Sequence, residues 1–119
     1  SKDGGFTWAR EKMRIPGVMP KLLRLSNGVI VLAFGRPGNN LVFSLDGGRS
    51  WGREVALTGP DVRTSGYCDI LEVAPNRILV VYDMFDSDLN RFWLFGPNEV
   101  NGIIGRHVNI TWHGAGNPG

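Results

Sequence analysis

The 119-residue chain has one cysteine, Cys68, two histidines, and no apolar run longer than the six residues 29–34. Each scarcity excludes something. A single cysteine makes no intrachain disulfide and no cysteine-based zinc site. His107 and His113 stand six apart with no carboxylate pair at metal-site spacing, so neither a metal nor another cofactor is expected. The longest apolar run falls far short of the roughly 20 residues that a membrane-spanning helix needs. The opening Ser1-Lys2-Asp3-Gly4 lacks the basic-then-apolar pattern of a secretory signal, so it says nothing about export. The 13 Lys and Arg residues, set against 11 Asp and Glu, are scattered rather than gathered in runs, and no nucleic-acid partner is expected.

What the chain does have is glycine, proline and tryptophan: 17, 7 and 4 residues, a mixture that favours turns and short strands over long helices. It also repeats itself. Ser1-Lys2-Asp3-Gly4-Gly5-Phe6-Thr7-Trp8 returns 43 residues later as Ser44-Leu45-Asp46-Gly47-Gly48-Arg49-Ser50-Trp51, with Ser, Asp, both Gly and Trp kept. A second pair of segments, residues 20–34 and 68–83, each carries an apolar stretch, a turn signal and a β-branched stretch, which reads as a hairpin. The turn signals are Ser26-Asn27-Gly28 and Ala74-Pro75-Asn76-Arg77. Residues 29–34 and 78–82 do not alternate, so both strands are expected to be buried on two faces. Residues 39–44 and 54–57 supply further strands, giving four per period of about 43 residues, the arithmetic of a β-propeller blade.

The boxes Ser1, Asp3, Gly5, Trp8 and Ser44, Asp46, Gly48, Trp51 read as folding devices. Asp and Ser side chains can satisfy turn N–H groups, glycine accepts positive φ, and both tryptophans are expected to bury their rings beneath the turn.

Ser-x-Asp-x-Gly-x-Thr/Ser-Trp resembles the Asp-box, or BNR repeat, of the sialidase (neuraminidase) superfamily, whose members are six-bladed propellers. The resemblance implies an all-β chain of about 2.8 four-stranded antiparallel blades, the C-terminal part of such a propeller. Residues 1–15 would end one blade, 16–60 form a second around box 44–51, and 61–112 form the last, with 113–119 as a tail. Such a piece cannot close a ring alone, so the rest of the propeller or a second copy of the chain is the expected partner. The family also favours a secreted or extracytoplasmic setting.

Thr64-Ser65-Gly66-Tyr67-Cys68-Asp69-Ile70, with its strand ending Tyr82-Asp83, resembles the family's segment that carries the nucleophilic tyrosine, and Tyr67 matches that residue. A phenol suits sialic acid, whose anomeric carboxylate would repel an anionic nucleophile. Arginine forks hold that carboxylate, and Arg36, eight residues before the second box, matches one of them. Arg63 could reach the same rim. Arg14-Ile15-Pro16 copies another family motif but follows a box instead of preceding the first. Two positions depart from the pattern: Met19 and Pro20 stand where the family's Glu base would fall, and Tyr82-Asp83 replaces Tyr-Glu.

Three functions therefore stay open. The first is part of a sialidase-like glycoside hydrolase, inactive as an isolated chain. The second is a noncatalytic propeller that binds a glycan or protein. The third is a glycosidase or lyase for neutral polysaccharides that uses carboxylates such as Asp69 and Glu72. The aromatic stretch 92–95 reads as a buried strand or a sugar platform, and Asn109-Ile110-Thr111 is a glycosylation sequon inside an expected strand.

Overall fold

A computed structural model describes residues 1–85 and 101–111, with the backbone alone at Phe85 and Asn101. The elements are β1 (Val18–Arg24), β2 (Ile30–Gly35), β3 (Asn39–Ser44), β4 (Gly52–Ala56), β5 (Cys68–Ala74), β6 (Arg77–Phe85) and β7 (Asn101–Asn109). No helix occurs among the described residues, and thus none long and apolar enough to cross a membrane. The strands form two antiparallel meanders, β1-β2-β3-β4 and β5-β6-β7. Both expected hairpins form: Leu22 pairs with Leu32 and Ile70 with Val80. Their turns use Gly28 (φ 88) and Asn76 (φ 64), where an Asx or Gly residue tolerates the left-handed region. The described residues form two sheets, not a closed ring.

The sheets pack face to face. Val31, Ala33 and Leu41 of the first sheet meet Ile78, Val80 and Tyr82 of the second in one apolar cluster, and β1 lies beside β5. On the other side of the first sheet, Leu32, Phe34 and Val42 form a second cluster with Ile15 and Trp51. β2 is therefore covered on both faces, as its unbroken apolar run implies. The parallel expectation for residues 78–82 fails. Val81 is 37% exposed and Leu79 half-buried, because no described element covers the far face of the second sheet, where Leu71 and Ile103 are also exposed.

The two boxes are wired alike. Ser44 Oγ donates to Asp46 at 2.8 Å and accepts from Gly48 N at 2.8 Å, while Asp46 accepts from Ser50 N at 2.8 Å. In the first box Ser1 Oγ donates to Asp3 at 2.9 Å and accepts from Gly5 N at 2.8 Å, and Asp3 accepts from Thr7 N at 2.9 Å. Gly4, Gly5, Gly47 and Gly48 all take positive φ. The rings differ. Trp51 packs on the second apolar cluster, but Trp8 is 77% exposed despite its bond from Nε1 to Gly5 O, since the first box lies outside both sheets. Burial of Trp8 is thus corrected: the box sequence sets the turn, and only a neighbouring sheet can cover the ring.

The Ser50 and Thr7 hydroxyls, then their N–H groups, lower the carboxyls of Asp46 and Asp3 to about 2. A depressed carboxylate stabilises the fold above its unfolded pKa and loses that contribution as pH falls through its folded value. The boxes are expected to hold at pH 4 and come apart near pH 2, read from the side-chain carboxyl carbons and the Thr7 and Ser50 amide signals in an NMR titration. A break at pH 4 to 5 would contradict the wiring.

A polar clip joins the two hairpin turns. Glu72 accepts from Ser26 N at 2.9 Å and Ser26 Oγ at 2.8 Å, and Asn27 Nδ2 donates to Asn76 Oδ1 at 2.6 Å. The Ser26 bonds lower the Glu72 carboxyl below its ordinary value. Its contribution is therefore present above the usual carboxylate range and lost as pH falls below it. Glu72→Gln should give a small loss of stability at pH 7 that vanishes at low pH. Equal losses at both ends, measured by urea unfolding, would disprove the linkage.

Candidate functional site at the Gly35 end of β2

The two sheets come closest where β2 ends. A Cβ on Gly35 would lie 2.0 Å from Gly66 O and 2.4 Å from Gly66 Cα, so two glycine backbones touch here. Gly66 itself needs positive φ (79). This approach brings the residue after β2, Arg36, beside the residue before β5, Tyr67.

Arg36 holds φ 60, a costly conformation for a residue with a Cβ. Arg36 N donates to Gly38 O at 3.0 Å and its Nε donates to Ser65 O at 3.1 Å. Its guanidinium carbon lies 5.8 Å from the Tyr67 ring centre, within cation–π range. Tyr67 is 46% exposed, so the phenol faces solvent at the rim. The arrangement leaves an open guanidinium edge next to an accessible phenol.

The supporting loop is held by residues that the resemblance did not single out as functional. Asp83 Oδ1 accepts from Thr64 Oγ1 at 2.7 Å and Ser65 N at 2.9 Å. Thr64 Oγ1 accepts from Asn39 Nδ2 at 3.0 Å and Gly66 N at 3.1 Å, and Ser65 Oγ accepts from Tyr67 N at 3.1 Å. Asn39 N donates to Thr58 Oγ1 at 2.9 Å, while Asn39 Oδ1 is buried and meets no donor among the described residues. The signal for this network was three small polar or flexible residues, Thr64-Ser65-Gly66, ahead of an aromatic one.

The other candidates fall elsewhere. Asp69 lies on β5, exposed, and its carboxylate accepts from Ile70 N at 2.9 Å; no hydrogen bond ties it to Arg36 or Tyr67. Arg63 is exposed on the loop before Thr64. Glu72 is engaged in the turn clip. Met19 is 49% exposed at φ 50 in a bulge of β1 and offers no base. Cys68 is buried, and that burial raises its thiol pKa, with Asp69 adding and Lys21 opposing, so it is a poor nucleophile. Residues 92–95 and His113 lie outside the described residues, and Asn109 ends β7. No three His, Cys, Asp or Glu side chains come together among the described residues. An open cleft of about 450 Å³ between Trp51, Val55 and Val108 lies at the other end of β2.

Comparison of the chain with protein-family models, curated proteins and solved structures finds no match.

Proposed function

We propose that the chain forms part of an Asp-box propeller of sialidase type, in which Arg36 clamps the carboxylate of an acidic sugar and Tyr67 is the nucleophile. The observation that carries the reading is the Arg36–Tyr67 pair, with a guanidinium 5.8 Å from the ring of an exposed tyrosine. The duplicated boxes and the four-stranded first sheet support the blade assignment. In the reaction, Tyr67 Oη bonds to the anomeric carbon as the glycosidic C–O bond breaks. The phenolic proton goes to a base, and an acid protonates the departing oxygen. No carboxylate hydrogen-bonds the Tyr67 hydroxyl among the described residues, so base and acid are assigned to the remainder of the propeller. Hydrolysis of a fluorogenic sialoside by the assembled protein tests this. Tyr67→Phe should abolish turnover, and turnover that survives the change removes Tyr67 from the chemistry.

A noncatalytic glycan-binding propeller is the second reading. It is favoured by Met19 in place of a base, and by Asp83, whose carboxylate is already committed to Thr64 and Ser65. Sugar binding without sialoside hydrolysis in the assembled protein would select it.

A further inference from the structure

We propose that Asp83 is a positioning residue that holds Arg36 and Tyr67 together through the loop at Thr64 and Ser65; the proposal rests on reading that pair as the acidic-sugar site. One carboxylate oxygen on β6 takes both the Thr64 hydroxyl at 2.7 Å and the Ser65 N–H at 2.9 Å. From Ser65 the connections divide. Its carbonyl accepts from Arg36 Nε at 3.1 Å, and its hydroxyl accepts from Tyr67 N at 3.1 Å. The side chain of Arg36 and the backbone of Tyr67 thus hang on one residue, and that residue is placed by Asp83. Charge-assisted bonds of this kind are the stronger ones, which suits a loop that must hold a guanidinium in one direction.

The first sheet shows that the fold does not need a carboxylate here. Asp83 follows the core-facing Tyr82 on β6, just as Phe34 follows the core-facing Ala33 on β2. Phe34 is 3% exposed and seats against Gly17, where a Cβ would come within 2.4 Å of the ring. The first sheet fastens the incoming chain at this corner by apolar contact. The second replaces that contact with a charged acceptor, and the difference falls at the corner that carries Arg36 and Tyr67.

The test uses the full chain labelled with nitrogen-15 and reads the Arg36 Nε–Hε signal, which reports both the Ser65 bond and the nearby Tyr67 ring. Tyr67→Leu identifies the ring's share of its displacement. Asp83→Ala should return the signal toward free arginine and speed its exchange with water by about tenfold, with the Val31, Leu41 and Val80 amides unmoved. Asp83→Asn, which keeps an oxygen acceptor without charge, should give a partial effect and decides the matter if Asp83→Ala does not fold. An unmoved Arg36 signal in the folded variant overturns the proposal, and so does a change spread equally over the core amides. Titration of the assembled protein, with this chain labelled, with N-acetylneuraminate separates the two ideas. No shift at Arg36 would sink the acidic-sugar reading while leaving the Asp83 dependence measurable.

Discussion

Gly35→Ala should unfold the chain or separate its two sheets, at a cost of about 4 kcal/mol or more. The added Cβ would stand 2.0 Å from Gly66 O and 2.4 Å from Gly66 Cα, and backbone atoms cannot swing away as the end of a side chain can. Gly35 is the last residue of β2, which Leu32 and Phe34 fix on one face and Val31 and Ala33 on the other, so the strand has no direction in which to yield. Gly28→Ala is the control. Nothing lies within 4 Å of its Cβ, and only the positive φ of 88 opposes it, a cost of about 1–2 kcal/mol. Urea unfolding of both variants measures the difference. Equal midpoints would show that the sheets can part at this corner without loss.

Arg36 should govern affinity for acidic sugars. A hydrogen bond to a charged group contributes about 1.5–3 kcal/mol, so Arg36→Ala is expected to weaken N-acetylneuraminate binding roughly 10- to 150-fold. Arg36→Lys keeps the charge but loses the planar fork and the Nε donor that Ser65 O accepts, and should recover only part of the affinity. The same sugar with its carboxylate converted to a carboxamide should not distinguish the three proteins. Isothermal titration provides the comparison, and a lysine variant that binds as tightly as the native chain would exclude a directional clamp.

The sequence was most legible where the physics is local. Each box closes bonds between residues no more than four apart, so its letters alone specify its turn. β3 occupies residues 39–44 as expected, since β-branched and aromatic side chains between turn signals leave little choice. Burial was less legible because it depends on what lies behind the strand. Val81 and Leu32 look alike in the chain, yet one is 37% exposed and the other 5%. The pair Arg36 and Tyr67 could be picked out by resemblance. Their support could not, because Asp83 reaches Thr64 and Ser65 across 19 and 18 residues and the route of that loop is not written in any short motif. The exposed Trp8 teaches the same lesson: its indole N–H finds Gly5 O locally, while cover for its ring must come from elsewhere.

That first box keeps its full wiring with no sheet behind it among the described residues, and the consequence is kinetic. Bonds that span two to four residues close at little loop-entropy cost and on a far shorter timescale than the pairing of distant strands. The second box joins β3 to β4, and once formed it fixes where the chain reverses, leaving β4 one direction in which to zip onto β3. A charge-balanced octapeptide, with one Asp, one basic residue and two adjacent glycines, thus serves as a pre-set corner that is ready before the sheet exists.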